Sequence, residues 1–373
     1  MKRRIVLVLV LAACGSSHHN PPSPDAPVSG DAASPVPTAI AVAGDYTPGH
    51  PGVLTAVSMD SDVVMQNVAP QGAVGDDPVI RHFGNELYVV NRADGNNVTI
   101  LDASTHALVE QLGTGAGSNP QDVAVAGGKL YVPALGTAGV VVLTRGSNTT
   151  TTIDLGTPLG DPDGKPDCVS AYVVGSQLFV ACGLLDASFT PRGPGQVAVI
   201  DTATDTFVSA IALPYANPQS FFTRAPQASV FAGDLLIPTV PSFTDYSTGC
   251  IARVSATAAS CAITNTDLAG FATRADVSGD TLWIATGTYD TSFMNQTGTL
   301  RPYDLKQGGL GTKYSAASEL IVDLAACPDG SIVATDQAAS TGGIRVYRFG
   351  GEQTTSALAI GLPPAFGDAL VCY

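Results

Sequence analysis

The chain has 373 residues, of which 13 % are charged, and its 32 acidic residues outnumber its 17 basic ones. Without three basic residues at the N-terminus, 14 basic residues remain against 32 acidic ones, a net charge near −18. A surface of that charge repels phosphate groups, which argues against nucleic acid as a partner. Gly, Ala, Val, Ser and Thr dominate, and this composition suits short strands and tight turns better than long helices.

The N-terminus has the pattern of an export signal. Basic residues precede an apolar run at 5–11, far shorter than the ~20 residues that span a bilayer. The run ends in Leu-Ala-Ala-Cys at 11–14, which resembles the bacterial lipobox. The resemblance implies a lipoprotein signal peptide over 1–13 and acylation of Cys14, which anchors the chain stably because several acyl chains are attached. Gly15 in the next position favours the outer membrane or cell surface. An ordinary secretory signal with a chance cysteine is the alternative.

The acylated cysteine and a linker rich in proline and serine are expected over 14–38. This segment has almost no large apolar side chains, so it cannot bury a core. Because proline favours an extended conformation, we expect a stalk that holds the folded domain, 39–373, away from the membrane.

The folded domain repeats one pattern of strands. An apolar run with Leu or Ile at its second position recurs at intervals of 43 to 57 residues, beginning at 86, 129, 177, 234, 281 and 331. A turn and another apolar stretch precede each run, and a third and a fourth strand follow it. Four strands in a period of about 45 residues indicate one propeller blade. Proline marks several innermost strands, twice as Asn-Pro-Gln (119–121 and 217–219), since it is tolerated at the first position of a strand.

The third strand ends in aspartate at Asp102 and Asp201, each followed three residues later by threonine. Such an aspartate accepts backbone N–H groups just beyond it, so we interpret both as hairpin residues and not as catalytic ones. The patterns Gly-x-x-Leu-Tyr-Val-x-Asn and Val-x-x-Ile-Asp-x-x-Thr resemble the YVTN-type seven-bladed β-propeller repeat family of exported bacterial proteins. The resemblance is clearest over 78–213 and weaker over 214–373.

Six full blades begin near 78, 119, 166, 217, 269 and 319. The N-terminal block at 38–70 contains three strands without an innermost one, and the C-terminal apolar strand at 366–373 can supply it. A blade built from both termini closes the ring and pairs edges that would otherwise stay open. The sequence therefore predicts an all-β fold, a seven-bladed β-propeller closed by its N- and C-terminal strands. Six blades with an irregular N-terminal sheet are the alternative.

Besides Cys14, the chain has six cysteines, an even number that indicates disulfides in an exported protein. Antiparallel pairing of neighbouring strands brings Cys168 and Cys182 together, and a hairpin brings Cys250 and Cys261 together. The two remaining cysteines are paired by elimination. The predicted disulfides are Cys168–Cys182, Cys250–Cys261 and Cys327–Cys372.

The longer loops are expected on one face, and binding residues concentrate on loops held by a rigid scaffold. These loops carry aromatic side chains, including Phe189 and Phe243, together with acidic side chains and two arginines. Exposed loop polarity without a ligand is the alternative. The candidate ligand-binding residues are Tyr46, Arg92, Asp94, Asp186, Arg192, Tyr246, Tyr289 and Asp290.

Two other groups carry candidate chemistry. Asp161, Asp163 and Asp167 surround a glycine and offer oxygen ligands for calcium, although the full calcium-loop pattern is absent and a plain turn is the alternative. His82 lies on the first full innermost strand, where it can act as a general base, with Arg81 and Asp77 beside it as further catalytic candidates. A satisfied polar residue in a water-filled channel is the more frequent role of such a histidine.

Two functions fit these residues. One is a non-catalytic binding module of the cell envelope that holds a peptide, glycan or partner protein on its loop face. The other is a lactonase-like hydrolase with its site in the central channel, because some propellers resembling this one open lactone rings. Fold alone does not choose between them. The four glutamates of the mature chain fall outside the expected mouth, which favours binding. We expect a monomer and no cofactor other than calcium.

Overall fold

The computed structural model describes residues 36–147, 149–289, 296–315, 319–338, 342–348, 351–364 and 367–373. The chain divides into two units, 1–35 and 36–373, and all described residues belong to the second. Within the described part, no helix is long and apolar enough to cross a membrane. Cys14 and Asp290 lie outside the described residues.

Seven antiparallel sheets form a ring, so the protein is the predicted seven-bladed β-propeller and the six-bladed alternative is wrong. The closing blade contains both chain ends: β1 (Thr38–Ala43), β2 (Val53–Ser58), β3 (Val64–Met65) and, as its innermost strand, β28 (Leu370–Cys372). Blade 1 contains β4 (Pro78–Phe83), β5 (Glu86–Asn91), β6 (Asn97–Asp102) and β7 (Leu108–Gly113). Blade 2 contains β8 (Ala124–Ala126), β9 (Lys129–Pro133), β10 (Gly139–Thr144) and β11 (Thr150–Asp154).

Blade 3 contains β12 (Cys168–Val174), β13 (Gln177–Cys182), β14 (Gln196–Asp201) and β15 (Thr206–Ala212). Blade 4 has its innermost strand in two pieces and contains β16 (Asn217–Pro218), β17 (Thr223–Arg224), β18 (Leu235–Val240), β19 (Cys250–Val254) and β20 (Ala259–Thr264). Blade 5 has three strands among the described residues: β21 (Phe271–Ser278), β22 (Thr281–Tyr289) and β23 (Gln296–Asp304). Blade 6 contains β24 (Ile321–Ala326), β25 (Ile332–Asp336), β26 (Gly343–Arg348) and β27 (Gly351–Glu352). Two single-turn helices, α1 (Gly156–Leu159) and α2 (Asn265–Leu268), follow the outermost strands of blades 2 and 4.

Alternating side chains of each strand pack against the two neighbouring blades. In β5, Leu87 and Val89 belong to a core cluster shared with the closing blade, whereas Tyr88 and Val90 belong to one shared with blade 2. This division follows from the strand itself, since successive side chains point to opposite faces of a sheet. Both faces of an inner strand are therefore buried.

The C-terminal strand closes the ring as predicted. In the antiparallel register of β28 and β1, Cys372 lies opposite Ala39 and Leu370 lies opposite Ala41. Backbone hydrogen bonds extend the pairing beyond both ends of β28, including one of 2.8 Å from the Thr38 N–H to the Tyr373 carbonyl. Both chain ends are thereby held in one sheet.

The aspartates that end the third strands are hairpin residues, as predicted. Asp102 Oδ1 accepts the backbone N–H groups of Ser104 and Thr105, at 3.0 and 2.8 Å. Hydrogen bonds from the Ser104 side chain and from Thr105 lower the pKa of Asp102 to about 2. Asp201 and Asp304 accept equivalent bonds in blades 3 and 5.

All three predicted disulfides are present: Cys168–Cys182, Cys250–Cys261 and Cys327–Cys372. The first joins residues directly opposite each other in β12 and β13. The last joins the end of β24 in blade 6 to β28, the closing strand. Because disulfides persist in oxidising compartments, they indicate an exported protein.

Candidate functional site

Charged side chains pack together inside the ring. Arg81 of β4 donates from Nε and Nη2 to the two carboxylate oxygens of Asp122, each at 2.7 Å. Asp122 has no solvent exposure, and it also accepts hydrogen bonds from the Ser170 hydroxyl and the Ala171 N–H. Burial raises the pKa of Asp122, whereas the neighbouring Arg81 lowers it. The pair therefore connects the innermost parts of blades 1, 2 and 3.

A break in the innermost strand of blade 4 places the ring of Phe221 among these charged side chains. Ser220 has φ 63°, a left-handed conformation that is uncommon for residues other than glycine. Its hydroxyl donates to Asp368 Oδ1 at 2.7 Å, and the N–H of Phe221 donates to the same oxygen at 3.2 Å. The Phe221 ring then lies 3.5 Å from the guanidinium carbon of Arg81 and 5.8 Å from that of Arg274. These distances allow cation–π attraction.

Arg274 completes the group from blade 5. Its Nε lies 3.6 Å from a carboxylate oxygen of Asp368 and 3.8 Å from one of Asp323. Burial and the nearby Asp368 raise the pKa of Asp323 to about 7. We name these packed side chains the channel plug: Arg81, Asp122, Phe221, Arg274, Asp323 and Asp368.

Two cavities open on opposite sides of the channel plug. One lies where innermost strands begin, between Asp167, Asn217 and Gly367, on the face of the long loops. The other lies where innermost strands end, beside His82 and Cys372. We name the first one the mouth cavity. It has a volume of about 310 Å³, and all seven blades contribute lining residues.

Aromatic rings form much of the wall of the mouth cavity. Tyr246 lies with its ring centroid 4.4 Å from that of Phe271 and 5.3 Å from that of Tyr289. Phe189 and Phe243 form an edge-to-face pair at 6.2 Å, and their side chains are about half exposed at the rim. Rings at these separations attract one another and hold a defined arrangement. The wall is therefore a preformed apolar surface.

Polar groups complete the wall. Asn217 is 2 % exposed, and its Nδ2 has no hydrogen-bond partner in the described structure. Arg92 donates from Nη2 to Asp77 at 2.5 Å, while its buried Nε also has no partner there. An unpaired buried donor costs about 1–3 kcal/mol, so an acceptor that enters the cavity gains this energy.

Among the titratable residues of this wall, Asp167 has the most strongly shifted pKa. Its Oδ2 accepts the N–H of Leu185 at 2.9 Å. Burial, with smaller contributions from Asp161 and Asp163, raises the pKa of Asp167 to about 7. Its carboxyl group therefore changes charge near neutral pH.

A scan against protein-family models and a search of curated proteins found no match. The solved structures that are similar to this chain include three with TM-scores above 0.5. A protein from Lactobacillus plantarum has a TM-score of 0.60 and 12 % identity, covering 91 % of this chain and 99 % of that one. Apo AztD from Citrobacter koseri has a TM-score of 0.51 and 12 % identity, covering 91 % and 98 %. Hydrazine synthase of Kuenenia stuttgartiensis has a TM-score of 0.51 and 15 % identity, covering 70 % and 73 %. At these identities the similarity shows a shared fold alone.

Three of the predicted ligand-binding residues, Arg92, Tyr246 and Tyr289, line the mouth cavity, together with Phe189 and Phe243. Asp186, Arg192, Tyr46 and Asp94 do not line it, and Asp290 lies outside the described residues. Asp186 and Arg192 form an ion pair with each other in the loop that carries Phe189. Tyr46 and Asp94 are exposed on loops of the closing blade and blade 1.

Apart from Arg92 and the two tyrosines, the polar residues of the wall were not predicted as ligand-binding residues. Asn217, Gln121 and Gln219 line the cavity, as do Asp167 and Phe271. The sequence signal for Gln121, Asn217 and Gln219 is the repeated Asn-Pro-Gln motif. That motif was interpreted only as the start of an innermost strand. That start lies at the mouth, so both glutamines of the repeat reach the cavity.

The candidate calcium loop is a turn bonded to its own backbone. Asp161 Oδ1 accepts the N–H groups of Asp163 and Lys165, at 3.2 and 2.8 Å. Asp163 Oδ1 also accepts the Lys165 N–H, and Asp167 is bonded to Leu185. The described residues contain no group of three or more His, Cys, Asp or Glu side chains placed to hold a metal ion.

The three catalytic candidates are not brought together. His82 stacks on Tyr373 of the closing blade, with ring centroids 4.3 Å apart, and burial lowers the pKa of its imidazole. Arg81 points to the other neighbouring blade and binds Asp122. Asp77 precedes the opposite end of β4 and pairs with Arg92. A histidine, an arginine and an aspartate close in sequence therefore serve three separate contacts.

Proposed function

We propose that this protein is a non-catalytic binding module of the bacterial cell envelope that holds a small ligand in the mouth cavity. The observation that carries the proposal is the unpaired, buried Nδ2 of Asn217 on a preformed aromatic wall. A cavity of about 310 Å³ is within the size range of small-molecule sites. The resemblance of the repeats to the YVTN-type family and the position on the loop face support the same role.

The channel plug supports binding over catalysis. It occupies the ring between the two cavities, and its arginines are paired with carboxylates instead of facing a substrate. A lactonase-like hydrolase is the second candidate, and Asp167 favours it, because a carboxyl group with a pKa of about 7 can accept a proton at neutral pH.

Replacement of Tyr246 by alanine tests the binding proposal. Full-length protein is screened in detergent against a small-molecule library that includes lactones, by ligand-observed NMR. We expect Tyr246→Ala to weaken binding of a hit about tenfold, because it removes a central ring of the wall. Phe83→Ala, which removes an aromatic ring at the opposite cavity, serves as the matched control. Equal weakening by both variants contradicts binding in the mouth cavity. Lactone turnover that is lost in Asp167→Asn favours the hydrolase.

We also propose that the chain is a monomeric lipoprotein of the outer membrane or cell surface, anchored through Cys14 and a stalk that precedes β1. We further propose that it does not bind nucleic acid. Replacement of Cys14 by alanine removes the only group that can be acylated within the lipobox. We expect the variant to move from the membrane fraction to the soluble fraction on cell fractionation. An unchanged membrane fraction contradicts the anchor. The three disulfides support export, which this location requires.

A further inference from the structure

The unpaired groups of the mouth cavity are hydrogen-bond donors. Asn217 Nδ2 and Arg92 Nε are buried N–H groups without a partner in the described structure. They are contributed by blades 4 and 1. A ligand that pairs with them must carry acceptor oxygens or nitrogens at more than one position. Hydrocarbons and simple quaternary amines have no such acceptors.

The amides on the same wall both donate and accept. Tyr246 shares a hydrogen bond with Gln219, and Gln121 donates to Asn119 through its Nε2 at 2.8 Å. Gln121 Nε2 also donates to the backbone carbonyls of Asn119 and Pro120, so the acceptor oxygen of Gln121 is what it offers to a ligand. Gln219 can offer both a donor hydrogen and its acceptor oxygen, because an amide has two donor hydrogens and an acceptor oxygen. Hydroxyl groups match this wall, since a hydroxyl can donate to one amide and accept from another.

The charges beside the cavity are already engaged within the protein. Arg92 is bound to Asp77, and Asp368 accepts from Ser220 while lying 3.6 Å from Arg274. Asp167 is largely buried, and it accepts the N–H of Leu185. Among the described residues that line the cavity, the one cation, Arg92, already has a carboxylate partner, and an anionic ligand also meets a strongly acidic protein. The wall therefore suits a ligand without net charge.

The partly exposed Tyr246 and Tyr289, which pack on the buried Phe271, offer apolar ring surface next to these polar groups. Tyr246, Phe271 and Tyr289 have ring centroids 4.4 to 5.4 Å apart, and the rings of Phe271 and Tyr289 are nearly parallel, at 15°. Such faces attract the C–H groups on the flat side of a pyranose ring. Sugars combine this apolar face with hydroxyls around their edge.

We infer that the mouth cavity binds a neutral carbohydrate of one or two rings, an inference that rests on the proposed function. The sugar face packs on the Tyr246–Phe271–Tyr289 cluster. A sugar oxygen accepts the hydrogen bond of Asn217 Nδ2, and other hydroxyls bond to Gln121 and Gln219. The volume of about 310 Å³ limits the bound part to this size.

The test compares three ligand classes on the full-length protein in detergent. Neutral mono- and disaccharides, the matching uronic acids, and choline are each titrated by ligand-observed NMR and calorimetry. We expect binding by at least one neutral sugar and none by its uronic acid or by choline. Asn217→Leu is expected to weaken sugar binding about tenfold, the loss of one hydrogen bond, without lowering the melting temperature. A purely structural asparagine would lower the melting temperature instead.

The outcomes separate the inference from the proposed function. Binding by choline or a uronic acid alone, lost in Tyr246→Ala, overturns the carbohydrate and leaves the mouth cavity as a binding site. Sugar binding that Asn217→Leu leaves unchanged also overturns the inference. No binding by any library member or sugar at millimolar concentration overturns both.

Discussion

Replacement of Asp122 by alanine is expected to lower the free energy of unfolding by about 3–5 kcal/mol, the usual cost of removing one partner from a buried ion pair. Asp122 is completely buried and accepts five hydrogen bonds, from Arg81, Ser170, Ala171 and its own neighbour Val123. Its loss leaves the Arg81 guanidinium, 12 % exposed, without a counter-ion. The measurement is urea unfolding followed by circular dichroism.

Two variants control this result. Asp280→Ala removes the carboxylate of an exposed pair with Lys306, and we expect no measurable change, since exposed ion pairs contribute little. Asp122→Asn keeps the shape and one acceptor oxygen, and it should fall between wild type and Asp122→Ala. If Asp122→Ala unfolds at the same urea concentration as Asp280→Ala, the channel plug does not stabilise the ring.

The architecture of this propeller could be predicted because local patterns specify it. The inner strand that begins at 86 was predicted at its observed start, since an apolar run between turns indicates a buried inner strand. The register of antiparallel neighbours then places Cys168 opposite Cys182 without further information. Ring closure followed from counting strands, because the N-terminal block lacked an innermost strand that the C-terminus could supply.

The channel plug and the wall of the mouth cavity could not be predicted in the same way. Arg81 and Asp122 are 41 residues apart and meet only because the blades close into a ring. Phe221 enters the channel through a left-handed residue, Ser220, that no sequence pattern marks. Local composition also misled the reasoning at His82 and Arg81, since adjacent residues of a strand point to opposite neighbouring blades.

The candidate calcium loop is a second place where the sequence predicts which residues gather but not what they contact. Its aspartates are close in sequence, and the turn does bring Asp161 and Asp163 together. The Oδ1 atom of each, however, accepts backbone N–H groups of the turn itself, at 2.8 to 3.2 Å, while the buried Oδ2 of Asp161 has no partner in the described structure. Composition predicts where carboxylates gather, whereas the backbone conformation decides which of their oxygens are already hydrogen-bonded.

Replacement of Cys327 and Cys372 by serine is expected to lower the free energy of unfolding by about 4 kcal/mol. This disulfide spans 45 residues, and the loss of entropy that it imposes on the unfolded chain grows with the length of the closed loop. It also holds β28, a strand of only three residues, against β24 of the neighbouring blade. Unfolding is measured in urea under conditions that keep the other two disulfides oxidised.

The matched control is the double variant Cys250→Ser with Cys261→Ser, which removes a disulfide between cysteines 11 residues apart in one hairpin. We expect it to lower the free energy of unfolding by about 3 kcal/mol, because the closed loop is shorter. The strands that lose protection from hydrogen exchange distinguish the two variants more clearly than the loss in free energy of unfolding does. Without Cys327–Cys372, we expect amide hydrogen exchange to rise first in β28 and β1, where the ring is closed by the pairing of the two chain ends. Without Cys250–Cys261, exchange should rise in β19 and β20 and stay slow at the closing strand. If both variants lose protection in the same strands, the C-terminal crosslink does not act at the closure. The closing blade is then held by its β1–β28 pairing and by the packing of its own Ile40, Val42 and Leu370 against the neighbouring blades.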